Sequence, residues 1–153
     1  MNLETAITIH NLLFTFMGLF HEKYLLRLRQ ESQELNFRPG FKKNHMKILN
    51  TLYQNDRITL TEIGKMLDIE KGSLTTLIDQ LEKEDFVLRL NDPLDRRKSL
   101  ICLSQHGREE MDRITYFCVA KVDELLLSFS SEEIQQFITS LQNVVGFMKK
   151  LDD

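Results

Sequence analysis

Tryptophan is missing from this chain of 153 residues, and proline, cysteine and glycine are scarce, at 2, 2 and 6. So few chain breakers, with 42% hydrophobic and 28% charged residues, exclude a disordered or low-complexity polypeptide and favour one ordered, mostly helical folding unit. Cys102 and Cys118 cannot make a disulfide framework and show no C-x-x-C spacing, so reduced thiols in a reducing compartment are expected. A long hydrophobic run is lacking too. The most apolar stretch, Leu12 to Phe20, has nine residues where a membrane span needs roughly 20, and Asn2, Glu4 and His10 before it give no basic leader. A cytoplasmic protein with no membrane partner is expected.

Signatures of catalysis are equally absent. There is no G-x-S-x-G, no P-loop and no persuasive carboxylate pair, so the chain is not expected to be an enzyme and no catalytic residue is assigned. His10, His21, His45 and His106 show neither H-x-x-x-H nor H-E-x-x-H spacing, and adjacent residues such as His21 and Glu22 point apart on a helix, so no metal site and no cofactor are expected.

Net charge is −3, which would argue against a polyanionic partner were it evenly spread. It is not. Between Arg38 and Arg108 there are 13 Lys/Arg against 10 Asp/Glu, while the flanks hold 7 against 13. The middle of the chain is the basic part.

Hydrophobic spacing divides the chain into helices. Residues 4 to about 34 read as one long helix with Leu3, Ile7, Leu13, Phe14, Met17, Phe20, Tyr24 and Leu28 in helical register, but Leu12 to Phe20 is apolar nearly all round. Such a helix must be covered on several sides, which an intersubunit interface provides. Arg38-Pro39-Gly40 breaks the chain, and a helix from about Lys42 to Tyr53 follows with Met46, Leu49 and Leu52 on one face. Thr59 and Glu62 form a capping box for a helix from about Leu60 to Leu67, and after a tight connection a further helix spans about Lys71 to Lys83. That helix carries Leu74, Leu77, Ile78 and Leu81 inward and Gly72, Ser73, Thr75, Thr76, Asp79 and Gln80 outward. β-type runs at Phe86–Leu90 and Leu100–Leu103 flank "NDPLDRRKSL". Ser104 can cap a helix from about Gln105 to Leu127 with an apolar seam (Met111, Ile114, Cys118, Val122, Leu125, Phe129), and Ser130 with Glu133 opens the last helix.

Two short helices in tight succession followed by a two-stranded ribbon make a winged helix-turn-helix. The fold class expected is mainly α with a small β-hairpin wing. A helix fits the major groove of B-DNA, and the small polar side chains of Ser73, Thr75 and Thr76 let it come close, while Gln80 can address adenine and Lys71 a phosphate. The bland alternative for this face is simple solubility. A ribbon beside that helix meets the minor groove, where a guanidinium is drawn in. Arg97 is the candidate for insertion, with Arg96 and Lys98 on flanking phosphates, and Asp95 is expected to pair with Arg97 and fix its fork-shaped head. If strand residues pair even with even, Leu88, Leu90, Leu100 and Cys102 share one wing face, more apolar than a solvated face should be.

From Thr59 to Gly107 the sequence resembles the MarR family of bacterial transcriptional regulators, most of all in "DPLDRR", in "KGSLTTLIDQLE" and in "LSQHG". The resemblance implies a single MarR-like domain over 1–153, with a DNA-binding lobe over 41–107 and a helical dimerisation lobe formed by 1–36 and 108–153. It implies a homodimer on pseudo-palindromic double-stranded DNA, acting as a repressor, with a small-molecule effector reaching the hinge between lobes. Phe14, Met17, Tyr24, Phe41 and His45 are the candidate effector-pocket residues. The family's peroxide-sensing branch uses a cysteine in the first helix, where this chain has none. Three positions depart from the family pattern: Glu70 replaces the usual Ser or Thr cap, Thr76 a common arginine, and Asp85 the usual glycine after the recognition helix. The competing reading is a winged-helix module for protein contact.

Overall fold

Asn2 begins the first helix by accepting the Glu4 N–H on its side chain at 3.2 Å. The computed structural model describes residues 2–31, 41–95 and 97–152. Helix α1 (Leu3–Phe20) passes through one π-helical turn (His21–Leu25) into α2 (Leu26–Glu31), so the expected single helix contains a widened turn. The break expected at Arg38 to Gly40 lies outside the described residues. From Leu3 to Gln30 the helix spans 28 residues with a window of mean hydropathy 1.3, long and apolar enough to cross a bilayer by length and composition. The run from Leu12 to Phe20 understated this, because Leu3, Ala6, Ile7 and Ile9 extend the apolar stretch and Glu4 is the one Asp, Glu, Lys or Arg before Glu22.

Next come α3 (Lys43–Gln54), a two-residue strand β1 (Ile58–Thr59), α4 (Leu60–Leu67) and α5 (Lys71–Lys83). The capping box that opens α4 forms as read: Thr59 Oγ1 accepts the Glu62 N–H at 3.2 Å, and the Glu62 carboxylate accepts the Thr59 N–H at 2.7 Å. Asp68, left-handed at φ 51°, ends α4, and α5 starts three residues later, at Lys71. Asp85 is left-handed too, at φ 59°, which is the backbone reason that a glycine suits this position.

Strands β2 (Val87–Asn91) and β3 (Ser99–Leu103) pair antiparallel with Leu88 opposite Cys102 and Leu90 opposite Leu100, the even-to-even register. β1 joins the other edge of β3, giving the order β1-β3-β2. Ile48, Leu49, Leu52, Ile63, Leu74, Ile78, Leu81, Phe86, Val87, Ile101, Leu103 and Met111 form the buried core, so α3, α4 and α5 pack around one face of the sheet. "LSQHG" closes this core. Ser104 Oγ donates to the Asp85 carbonyl and accepts the Gly107 N–H at 2.9 Å, and a Cβ on residue 107 would stand 2.0 Å from the Phe86 carbonyl oxygen. Only glycine lets α6 (Gln105–Leu126) start that close to the backbone that leads into β2 at Phe86.

The chain divides after Thr115 into two compact units. In the second, residues 116–153, α7 (Ser131–Met148) opens on the second capping box, with Ser130 N–H donating to the Glu133 carboxylate at 2.9 Å. No residue of α7 is buried within the chain, and the same holds for α1.

Candidate nucleic-acid interface

Lys71, Ser73 and Thr76 are exposed along the first turns of α5 and Thr75 is half-buried. Thr75 Oγ1 donates to the Lys71 carbonyl at 2.9 Å and Thr76 Oγ1 to that of Gly72 at 3.2 Å, which fixes both rotamers and leaves their oxygens able to accept from outside.

Gln80, in the last turns of α5, is placed differently from the rest. Its Oε1 lies 2.8 Å from Nε2 of His45, and His45 Nδ1 accepts the Lys42 N–H at 2.9 Å. Nδ1 is therefore the acceptor and Nε2–H the donor. A bidentate contact with adenine needs both the oxygen and the nitrogen of the amide, so Gln80 can make it only by releasing His45. His45 itself, read as a pocket wall, is instead a buried ring that caps α3 and ties it to α5. Phe41 packs on His45 and Phe86 with ring centroids 5.0 and 4.8 Å apart, while Phe14 and Met17 are exposed on α1 and Tyr24 is half-buried in the π turn. The apolar grooves of the second unit are lined by Ile138, Leu141 and Val145 in one and by Leu126, Phe129 and Phe137 in the other.

The wing tip is shaped by its own carboxylates. Asp92 Oδ1 accepts the N–H groups of Leu94 at 2.8 Å and Asp95 at 3.3 Å, and Asp95 Oδ1 accepts that of Arg97 at 3.1 Å. Two backbone bonds close the loop, Asp92 N–H to Lys98 O at 3.0 Å and Lys98 N–H to Asp95 O at 2.8 Å. Asp95 Oδ1 also lies 3.5 Å from Arg97 Nε, and Oδ2 lies 4.0 Å from Lys98 Nζ. The pairing of Asp95 with Arg97 thus reaches the inner nitrogen and the backbone rather than the outer fork, and the Arg97 side chain is 95% exposed. Such an exposed pair does little for stability; it directs a cation outward. Arg96 lies outside the described residues.

Between the wing and the helix starts is a cleft of about 570 Å³ bordered by Thr59, Thr61 and Glu62 of the α4 start, by Lys71, and by Arg97 and Lys98. Glu62 is the one carboxylate among these. Hydrogen bonds from the Thr59 side chain and then its backbone hold its pKa below the usual value, with smaller help from Lys98 and Lys65, and both of those bonds converge on Oε2. β1 is what brings Thr59 beside β3 and so forms this border.

Arg89 was not singled out from the sequence. It lies on the core-facing side of β2 with Val87 and pairs with both Asp79 and Glu82 of α5, clamping the ribbon to the helix. A signal existed: a charged residue on an inward strand position following two acids one helical turn apart. Cys102 and Cys118 both have their thiol pKa raised by burial, reinforced at Cys102 by Asp56, which keeps them protonated and slow to react. Among the described residues no group of three or more His, Cys, Asp or Glu side chains could hold a metal ion.

Helix, tight turn, helix and a cationic ribbon held beside the second helix define a winged helix-turn-helix protein. The MarR family model matches residues 41–99. The HTH-type transcriptional regulator YkoM of Bacillus subtilis is 30% identical over 103 residues, covering 67% of this chain and 67% of its own length. A MarR family protein from Bacillus stearothermophilus has a similar structure, with TM-score 0.73, 21% identity and coverage of 97% of this chain and 99% of that one. Streptococcus pneumoniae FabT, solved in complex with DNA, gives TM-score 0.69 at 21% identity over 94% of this chain and 99% of its own. The chain belongs to the MarR family of winged helix-turn-helix, DNA-binding transcriptional regulators, and is not an enzyme.

Proposed function

We propose that the protein is a cytoplasmic homodimeric repressor that sets α5 in the major groove of a pseudo-palindromic operator, inserts Arg97 in the flanking minor groove, and is released by a small-molecule effector. The observation that carries the DNA-contact reading is the cleft where Lys71, Arg97 and Lys98 border one concave surface, from an α-helix start and a ribbon clamped together by Arg89. Cations so placed match the phosphates on both sides of a groove, and the DNA complex of FabT gives a precedent on the same fold. The homodimer is supported by what one chain leaves uncovered: Leu12, Phe14, Phe16, Met17 and Phe20 of α1, and Phe137, Val145 and Phe147 of α7, are all more than 40% exposed. A twofold axis would set the recognition helices about 34 Å apart, one turn of the duplex. Effector release rests on the family resemblance.

The test starts from a duplex recovered by the wild-type protein from random-sequence DNA, with affinity measured by fluorescence anisotropy against salt. Arg97→Ala is expected to cost about 1–3 kcal/mol on that duplex, whereas Lys71→Ala weakens all duplexes alike and lowers the salt slope by about 1. Unchanged binding by Arg97→Ala would remove the wing assignment. A protein-contact module, the reading favoured by exposed Leu88 and Leu90 on the wing, predicts that no duplex is enriched.

A further inference from the structure

Leu94 is the most exposed large hydrophobic residue among those described, at 96%, and it sits at the wing tip between two aspartates. A single exposed leucine is ordinary on a protein surface. This one differs in being held. Pro93 restricts the backbone before it, its own N–H is bound at 2.8 Å by Asp92, and the loop containing it is closed on both sides by the Asp92–Lys98 and Lys98–Asp95 backbone bonds. Arg97 extends from the same closed loop, 95% exposed. A surface that receives this loop tip is within reach of both side chains, and the backbone bonds already hold the loop for it.

Given the DNA-contact reading, on which this inference rests, that surface is a minor groove. We propose that Leu94 is a specificity-determining residue of the wing, an apolar prong that packs on the deoxyribose walls and floor of the minor groove beside Arg97. The groove between two rows of phosphates is lined by sugars, which offer an apolar side chain a matching wall. Its floor differs between base pairs in one group: G·C adds the guanine amine, a donor that A·T lacks. A leucine over that amine covers it without accepting its hydrogen bond, so Leu94 penalises G·C under the wing. This adds direct discrimination to the preference that Arg97 has for narrow A·T tracts. The charges around the prong favour nucleic acid over a protein partner as the occupant, because Arg97 and Lys98 in the same loop present cations to a polyanion while Asp92 and Asp95 are turned to backbone N–H groups.

The experiment compares wild type with Leu94→Ala, Leu94→Gln and Leu94→Met on the duplex selected from random-sequence DNA, across a salt series, and on versions in which the base pairs footprinted under the wing are changed from A·T to G·C. Leu94→Ala and Leu94→Gln are expected to bind about tenfold more weakly per wing, with Leu94→Met close to wild type. The salt slope stays unchanged because no phosphate contact is lost, and the penalty for G·C shrinks. Melting temperatures of all three variants match wild type, since the side chain has no buried contact to lose. The proposal is overturned if Leu94→Ala or Leu94→Gln binds as wild type does, or if weaker binding comes with a smaller salt slope, which would mean that the cations had moved instead. Failure to select any duplex removes the DNA-contact reading itself; normal selection with indifferent Leu94 variants removes this inference alone.

Discussion

Glu70 holds the N-cap position of α5 in the extended conformation a cap requires, at φ −60° and ψ 141°, yet makes no side-chain hydrogen bond to the helix. A shorter side chain would reach. Glu70→Ser is expected to raise stability by about 0.5 kcal/mol in urea denaturation, the gain from a cap being partly offset by the loss of a negative charge at a helix start. The same local logic explains which residues were legible in the sequence. Thr59 with Glu62 and Ser130 with Glu133 could be read because a capping box is complete within four residues. His45 and Gln80 could not, because their bond joins positions 35 residues apart and depends on how α3 lies against α5. The acidic residues of the wing show a milder form of this. Asp95 was read as a partner for Arg97's head, whereas its main work, with Asp92, is to bind backbone N–H groups that only the folded turn brings within reach.

Elements were legible where their pattern was long. The bounds of α4 and α5 match the sequence reading, since amphipathic spacing and caps agree there. β1 was missed, as two residues carry no alternation and a strand of that length exists only through its pairing with β3. Arg89 couples two elements that were each read correctly and separately. Arg89→Ala should cost roughly 1–2 kcal/mol, because Asp79 and Glu82 lose a shared, partly buried partner, and Arg89→Lys should recover only part of it because an ammonium cannot serve two carboxylates in the same planar way. Paired denaturation and DNA-binding measurements check this, with affinity falling even though no DNA-facing cation is changed. The helix starts also carry a pH dependence. Hydrogen bonds from Thr59 and Ser130 hold the pKa values of Glu62 and Glu133 below 4.5 in the folded chain, so their contribution is complete above that value and lost as the pH falls through the lower, folded value. Glu133→Gln should flatten part of the acid limb of a stability curve followed by circular dichroism.

For the whole molecule, the all-round apolar run Leu12 to Phe20 already indicated that one chain could not cover its first helix, and the structure leaves α1, and α7 as well, without a buried residue. Phe16, 47% exposed and in ring contact with Phe20, is a suitable probe. On the homodimer proposed above, Phe16→Asp should give a monomer in sedimentation velocity and abolish binding to a two-half-site duplex, while the winged lobe keeps its fold because Phe16 is no part of that core. What no sequence pattern disclosed in this helix is the π turn at His21–Leu25. Such a turn accommodates one surplus residue, and each residue of an α-helix advances the side chains by about 100°, so the turn acts as an indexing joint within an unbroken rod. Everything before it can be rotated relative to everything after it by gaining or losing one amino acid there. One insertion or deletion there would therefore turn a different side of α1 outward without altering any residue of α4 or α5.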